Sequence, residues 1–331
     1  EVVKNKQVIS PLVSYFGFSK ENNALFQNVR FEDFTDVFEI VKDIKESDYI
    51  VFPHNYFSIK NDINFIKKYE NLAEKYDKKM IVIASGDSNE EVGITNSIIL
   101  RTSQYSSKMR KNEILIPAYV EDLSKSINFF PRLKSDLPVV GFCGWATFRG
   151  FLPWLKFYLK NFLINYGFRR QGIYFRRKAI NILSKSLLIK TNFIVRNSFS
   201  AHKHTVSLLP EKIREEYINN ILDSDFVLVP KGDGNYSLRF YETLALGRIP
   251  ILIDTDTPLP LEQELDYSKF ILRISYKNIN KLPQIISEFY KNISEDEFIN
   301  MQKIAREVFQ KYLKQDMFFR YVFGRGLEKN I

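Results

Sequence analysis

Apolar and polar positions follow one another along this chain in short blocks that predict strands and helices in turn. The clearest example is residues 225–254, where β-rich apolar runs flank a glycine-bearing loop and a stretch of helical spacing. These segments lie at 226–229 (strand), 231–236 (loop), 238–246 (helix) and 249–253 (strand). The stretch is therefore predicted to form a βαβ unit.

The loop of this unit has the chemistry of an anion site. Gly232 and Gly234 let backbone amides come close to a ligand, and Ser237 is placed to cap the helix that follows. Lys231 and Arg239 add positive charge beside the helix N-terminus, which itself attracts anions. We expect a phosphate or diphosphate to bind here.

The same block pattern extends over most of the chain and divides it in two. The residues before about 130 carry strand patterns at 7–15, 48–52, 80–84, 96–101 and 113–117, with a helix pattern at 63–76. The pattern lapses between 118 and 136 and then resumes, with strands at 137–143, 191–195 and 270–274 and helices at 210–222, 282–290 and 295–312. We predict an α/β protein with one Rossmann-like domain over 1–130, a second over 137–314, and a C-terminal helix, 315–331, that can return to the first domain.

Composition supports a folded chain with anionic partners. Of 331 residues, 45% are hydrophobic, which is ample for two packed cores, and 26% are charged, which is ordinary for a folded protein. The net charge of +9 favours nucleotide phosphates, nucleic acid or an acidic lipid surface as partners. The single cysteine, Cys143, excludes an internal disulfide, and no cysteine or histidine spacing is typical of zinc.

The sequence contains no apolar run long enough to span a bilayer and no signal peptide pattern at its start. We therefore expect a cytoplasmic protein that can associate peripherally with a membrane. Because the first residue is Glu1, the removal of an N-terminal anchor is left as an open alternative.

A longer pattern surrounds the anion loop, namely Ser237-x-Arg239-x-x-Glu242-x-x-x-x-Gly247-x-Ile249-Pro250. This pattern resembles the C-terminal signature of exostosin-type glycosyltransferases. Supporting positions are Val229-Pro230, Asp254, Leu259-Pro260, Asp266-Tyr267 with Phe270, and Phe142-x-Gly144 with Arg149-Gly150. The resemblance spans about 139–274, and the N-terminal half of the chain does not match.

This resemblance implies a GT-B fold, in which two Rossmann-like domains face each other across a cleft. It implies an inverting transferase that takes a sugar from a nucleoside diphosphate, with UDP-sugars favoured, and that uses neither a metal nor another cofactor. The donor would bind in the C-terminal domain, and Glu242 would accept hydrogen bonds from the ribose. The implied donor-binding residues are Gly144, Arg149, Lys231, Gly232, Ser237, Arg239 and Glu242.

Such a reaction needs a group that removes a proton from the acceptor hydroxyl, and the N-terminal domain offers two. His54 follows one predicted strand and Asp87 follows the next, so both are expected at the carboxyl edge of the sheet. We take both as candidate catalytic bases. The acceptor would be a glycan or a lipid-linked glycan.

Two other features leave alternatives open. Asp254-Thr-Asp256 matches a short metal-binding pattern of a different transferase fold, but its place after a strand favours a turn or a ligand loop. The long segment that follows Gly144 and extends to about residue 188 is predicted to be helical in its second half. Within it, residues 151–178 interleave aromatic and basic side chains, which suits a domain core, a membrane surface or nucleic acid. The alternative functions are an α-1,3-fucosyltransferase-like enzyme using GDP-fucose and a non-enzymatic protein that binds nucleic acid or membranes. No nucleic-acid-binding motif is recognisable, so no nucleic acid is expected.

Overall fold

The computed structural model describes residues 35–123, 127–148, 150–198 and 210–327. The strand predicted at 7–15 and the candidate Arg149 lie outside the described residues. The chain divides into two compact units, and each is described here by itself. The first takes the described residues up to 119, Pro258–Leu261 and those from Lys311 onward, and the second takes Val120–Thr257 and Glu262–Gln310.

The first unit is built on a four-stranded parallel sheet in the order β1-β2-β3-β4. Its strands are β1 (Tyr49–Val51), β2 (Lys79–Ala84), β3 (Ser97–Arg101) and β4 (Glu113–Leu115), and its first helices are α1 (Tyr56–Ile59) and α2 (Ile63–Lys75). Alternate residues of β2 point to opposite faces, as in any strand. Val82 packs with Ile66 and Tyr69 of α2, whereas Ile81 and Ile83 pack on the other side.

The C-terminal helix, Gln315–Gly324, covers that other side of the first sheet. Its Phe318, Phe319 and Val322 are buried in one cluster with Ile81 and Ile98. Both faces of the first sheet are therefore covered by helices, which is why its parallel strands are almost continuously apolar.

The second unit contains a five-stranded parallel sheet in the order β6-β5-β7-β8-β9. The strands are β5 (Val139–Trp145), β6 (Lys190–Arg196), β7 (Phe226–Val229), β8 (Ile249–Asp254) and β9 (Leu272–Ser275). The helices are α3 (Phe151–Leu159), α4 (Gly172–Leu183), α5 (Pro210–Leu222), α6 (Leu238–Ala245), α7 (Leu282–Asn292) and α8 (Glu295–Val308). The α/β class with two parallel sheets is thus confirmed, and the βαβ unit at 226–254 forms where it was predicted.

Strand β5 lies between β6 and β7. The chain therefore passes from β5 to β6 on one side and then crosses to β7 on the other side of β5. In open α/β sheets such a switch point opens a crevice at the carboxyl ends of the strands, where ligands bind. The loops that follow β5 and β7 meet at this crevice.

One predicted element was incomplete. The segment that follows Gly144 and extends to about residue 188 is helical in its first half as well, because α3 begins at Phe151. Pro153 does not interrupt this helix, since it lies in the first turn, where a backbone amide has no intrahelical partner to lose. In the part of the chain that the structure describes, no helix is long and apolar enough to cross a membrane.

Candidate functional site

The loops after β5 and β7 are held together by Arg176 of α4. Its Nη1 donates to the carbonyl oxygen of Trp145 at 3.4 Å, and its Nη2 donates to that of Lys231 at 3.2 Å. Gly172, at the start of the same helix, is in close contact with the second loop: a Cβ there would lie 2.2 Å from the carbonyl oxygen of Lys231. The start of α4 thus fixes the loop that was predicted to bind an anion.

Arg239 lies in the first turn of α6 and reaches back to β5. Its Nη2 donates to the carbonyl oxygen of Cys143 at 2.8 Å, and its guanidinium lies 4.4 Å from the centre of the Phe142 ring. Gly144 makes room for it, because a Cβ at that position would be 2.8 Å from Arg239 Nη2. Gly144 also has a φ of +153°, which favours glycine. The structure therefore brings together Gly144 and Arg239, two of the residues predicted to bind the donor.

Several guanidinium groups around this crevice keep an unused donor. Arg176 Nε, Arg239 Nε and Arg196 Nη1 are buried and make no hydrogen bond within the described residues. Arg196 ends β6 beside Trp145 in the sheet register, and its Nη2 donates to Glu216. Buried polar atoms are nearly always paired in folded proteins. Unpaired cationic donors converging at the ends of β5 and β6 indicate a place for an anionic ligand.

The electrostatics of the crevice agree with this interpretation. Burial, and then the nearby charge of Arg239, lower the pKa of Arg176 to about 10. Burial raises the pKa of the Cys143 thiol, while Arg196 and Arg239 act in the opposite direction. Cations that are crowded and partly desolvated are stabilised by a bound anion.

Glu242, one turn beyond Arg239 on α6, is held by two residues of α5. Arg214 Nη1 donates to its Oε1 at 2.9 Å, and the Tyr217 hydroxyl donates to its Oε2 at 2.5 Å. Burial, and then the charge of Glu242, raise the pKa of Tyr217 well above its ordinary value. Each carboxylate oxygen has a further lone pair, so Glu242 keeps acceptor capacity for a sugar hydroxyl.

Lys231 and Gly232 occupy the predicted loop, but the lysine side chain turns to the protein. Its Nζ donates to the carbonyl oxygen of Phe168 at 2.7 Å, and burial lowers its pKa to about 8. The amide of Gly232 donates to the carbonyl oxygen of Tyr236 at 2.7 Å, which closes the loop on itself. Lys231 thus anchors the turn at Gly167–Arg169.

Ser237 occupies the N-cap position of α6, and its carbonyl oxygen accepts from the amide of Phe240 at 3.1 Å. Its hydroxyl makes no capping hydrogen bond, so the predicted side-chain cap is wrong. The backbone at Ser237 is extended, with φ −146° and ψ 126°. The hydroxyl is therefore not committed to the helix end.

The Asp254-Thr-Asp256 segment forms a braced turn beside the loop. Asp254 accepts from the amide of Thr257 at 2.9 Å and from Arg273 Nε at 3.1 Å. Asn235 of the anion loop donates to the carbonyl oxygen of Asp256 at 2.9 Å. These contacts give Asp254 the part of a turn residue and ion-pair partner.

In the first unit, the candidate bases His54 and Asp87 follow the adjacent parallel strands β1 and β2. His54 is fully buried, with its ring edge-on to that of Phe65 at 5.4 Å, whereas Asp87 is exposed. The Asp87 loop is supported from below by buried Arg101, whose Nη2 donates to the carbonyl oxygens of Ser88 and Glu90, both at 3.2 Å. Asp87 is therefore a solvent-accessible carboxylate on a loop of fixed shape.

Sequence reasoning missed some of the residues that shape the site. The sequence pattern assigns no site role to Arg176, Arg196, Arg214 or Tyr217. Arg214 and Tyr217 lie three residues apart on α5, a spacing that places them on one helix face but does not say what they contact. Arg196 had one available signal, since it ends a strand of a parallel sheet.

The family model described as the exostosin GT47 domain matches residues 174–289, which contain most of α4, the anion loop and α6. Over this segment the chain resembles the exostosin-type glycosyltransferase family. The resemblance predicted from the Ser237–Pro250 pattern is thus confirmed for the C-terminal half.

An exostosin-1 homolog of Caenorhabditis elegans is 28% identical over 118 residues, which cover 34% of this chain and 30% of that protein. A probable glycosyltransferase of Arabidopsis thaliana is 27% identical over 106 residues, which cover 32% of this chain and 22% of that protein. The exostosin-like chain therefore matches less than a third of the length of these curated relatives.

Solved structures that resemble the exostosin-like chain over more of its length are distant in sequence. A glycosyltransferase from Rickettsia africae is 13% identical, with 88% of this chain and 83% of that chain covered and a TM-score of 0.40. Anabaena HepE, solved in complex with UDP-glucose, is 10% identical, with 86% and 79% covered and a TM-score of 0.40.

Proposed function

We propose that this exostosin-like protein transfers a sugar from a nucleoside-diphosphate sugar to a hydroxyl of a glycan acceptor, with inversion at the anomeric carbon and without a metal. The observation that carries the proposal is the set of unpaired guanidinium donors of Arg176, Arg196 and Arg239 at the carboxyl ends of β5 and β6. The match of residues 174–289 to the exostosin GT47 family model supports the reaction class. The same resemblance favours a UDP-sugar as donor.

On the donor side, the proposed task of the protein is to stabilise the diphosphate as it leaves. The bond between the anomeric carbon and the diphosphate oxygen breaks, and the oxygen keeps the electron pair. Arg239 Nε and Arg176 Nε supply charged donors to the diphosphate oxygens, and the first turn of α6 supplies the positive end of a helix. Fixed cations of this kind can do what a divalent metal does in other transferases.

Glu242 is proposed to bind the ribose. Arg214 and Tyr217 hold its carboxylate in one orientation, and the free lone pairs accept from ribose hydroxyls. Because Glu242 is one helical turn beyond Arg239, the ribose and the diphosphate of one nucleotide can be bound by the same helix.

On the acceptor side, Asp87 is the better supported of the two candidate bases. Its carboxylate is exposed, whereas His54 is fully buried and packed against Phe65. The acceptor oxygen would attack the anomeric carbon on the face opposite the diphosphate while its proton passes to the carboxylate. The acceptor class proposed is a glycan or lipid-linked glycan of a polysaccharide or glycoconjugate.

The proposal is tested with a panel of nucleotide sugars, each offered with a set of glycan acceptors in the presence of EDTA. The expected result is consumption of one UDP-sugar, undiminished by EDTA, with NMR of the product showing inverted anomeric configuration. Turnover of GDP-fucose would instead support the fucosyltransferase alternative. A product with retained configuration, or turnover that needs an added divalent cation, would contradict the inverting, metal-free reaction.

A further inference from the structure

Helix α3 and the π-helical turn after it, Lys160–Ile164, carry an apolar surface that the described residues of the second unit leave uncovered. We call this surface the α3 stripe; it comprises Phe151, Leu152, Tyr158, Leu159, Phe162 and Leu163, all exposed. Leu152 is 69% exposed and Leu163 74%. Single exposed apolar residues are ordinary, but a contiguous group on one helix marks a surface that binds something.

The segment is attached to the unit along another side. Phe157 packs against Phe148 with ring centres 4.9 Å apart. Asn161 is fully buried and pairs with Gln171 in both directions: its Nδ2 donates to Gln171 Oε1 at 2.8 Å, and its Oδ1 accepts from the Gln171 amide at 2.8 Å. The α3 stripe is therefore the outer side of a helix that is fixed in place.

Aromatic rings run along the helix next to the leucines. The rings of Trp154 and Tyr158 are stacked at 5.6 Å, and those of Tyr158 and Phe162 at 4.6 Å, as the four-residue spacing allows. Arg170 lies over the Phe162 ring at 5.1 Å. Tryptophan and tyrosine are amphipathic and favour the boundary between lipid and water.

The charge around the α3 stripe has one sign. Lys156 and Lys160 are exposed, and their four-residue spacing puts them on one side of the helix. The sequence contains no aspartate or glutamate between Leu137 and Pro210, although the whole chain has 39 acidic residues against 48 basic ones. The stripe is thus flanked by cations in a tract without acids, which complements an anionic surface.

We propose that the α3 stripe docks the protein onto the surface of a bilayer that contains anionic phospholipids. Leu152 and Leu163 would enter the boundary between headgroups and acyl chains. Lys156 and Lys160 would extend beside them to the lipid phosphates, with their methylene stems along the apolar layer. This inference stands apart from the transfer reaction, since binding needs no nucleotide and no acceptor.

A glycan is a poorer occupant for the same surface. Sugar sites combine aromatic faces with carboxylates or amides that bind hydroxyls. The α3 stripe has no carboxylate near it in sequence, and the amide of Asn161 is already paired with Gln171. The strongly exposed leucines favour lipid.

The first test is flotation with two kinds of vesicle, pure phosphatidylcholine and phosphatidylcholine mixed with phosphatidylglycerol. We expect the protein to float with the anionic vesicles. The double variant L152S/L163S should bind these vesicles at least about tenfold more weakly. L187S is the matched control, because Leu187 is 93% exposed in the same unit but lies outside the stripe. Unchanged melting temperatures would show that both variants remain folded.

The second test separates charge and depth. K156Q/K160Q should lose most of the preference for phosphatidylglycerol, whereas K281Q/K291Q, which changes two exposed lysines elsewhere in the unit, should keep it. The chain has two tryptophans, so W145F leaves Trp154 as the only reporter. Its fluorescence should shift to the blue and be quenched by brominated lipid.

Three results would overturn the proposal. One is an absence of binding to the anionic vesicles. The second is equal loss of binding in L187S and L152S/L163S. The third is a different occupant: concentration-dependent dimers that only L152S/L163S dissociates, or soluble glycans whose binding only the stripe variants abolish.

Discussion

Arg239 donates through Nη2 to the carbonyl oxygen of Cys143 at 2.8 Å, and its buried Nε makes no hydrogen bond within the described residues. The hydrogen bond to Cys143 fixes the guanidinium at the end of β5. The unpaired Nε remains as a charged donor for a ligand. We expect R239Q to abolish the rise in melting temperature that a nucleoside diphosphate causes and to lower kcat/KM by about 10²- to 10³-fold. R320Q is the control, because Arg320 pairs with Asp36 in the first unit. A thermal shift in R239Q equal to that of the unaltered protein would remove Arg239 from the diphosphate site.

Gly144 provides the space that Arg239 uses. In G144A the new Cβ would lie 2.8 Å from Arg239 Nη2, so the guanidinium must move, and the residue must also adopt a φ of +153°. We expect nucleotide affinity to fall at least tenfold, measured by calorimetry. G326A separates strain from contact, since Gly326 has a φ of +85° but nothing within 4 Å of a new Cβ. If G144A lost stability like G326A and yet bound nucleotide normally, the close contact would have no part in binding.

The hydrogen bond from Tyr217 to Glu242 is expected to position the carboxylate rather than to take part in transfer. Y217F removes one donor from a buried network and should cost about 1 kcal/mol of stability. Its kinetic effect should be a several-fold rise in KM for the nucleotide sugar with kcat nearly unchanged, because ground-state and transition-state binding are weakened alike. A fall in kcat at constant KM would contradict a positioning role.

The buried amine of Lys231 is expected to make the stability of the fold depend on pH. Burial lowers its pKa to about 8, so between pH 8 and the ordinary value of 10.5 the unfolded chain binds more protons than the folded one. Stability from this group therefore rises with pH across that window, and the total is at most about 3 kcal/mol. Denaturant titrations should show this rise in the unaltered protein and not in K231M. Equal pH profiles for the two proteins would show that Lys231 does not titrate in this range.

Asp87 is expected to be the base. At saturating donor, D87N should lower kcat by about 10²-fold or more, because the acceptor hydroxyl loses its proton acceptor. H54N serves as the comparison: it replaces a fully buried ring and should act mainly on the melting temperature. A large loss of turnover in H54N with normal turnover in D87N would reverse the assignment.

The strands and helices of the second unit could be predicted because their apolar periodicity is strong, as at Phe226–Val229 and Pro210–Leu222, where the predicted and observed bounds coincide. The site was harder to predict. A sequence pattern marked Arg239 and Glu242, but Arg214 and Tyr217 contact Glu242 from another helix, and no local pattern encodes a contact across 28 residues. Lys231 shows what a local pattern leaves out. Its place in a glycine loop indicated a ligand, whereas its Nζ binds the backbone of Phe168, which only the fold brings near.

The protein is proposed to bind a diphosphate at the carboxyl ends of β5 and β6 without a metal. Calorimetric titration of UDP, UMP and uridine into the protein in EDTA tests it most directly, with R239Q titrated in parallel. The account predicts that affinity falls steeply from UDP to UMP to uridine, and that R239Q reduces UDP binding to the level of uridine. Equal affinities for UDP and uridine, or UDP binding that appears only after a divalent cation is added, would contradict it.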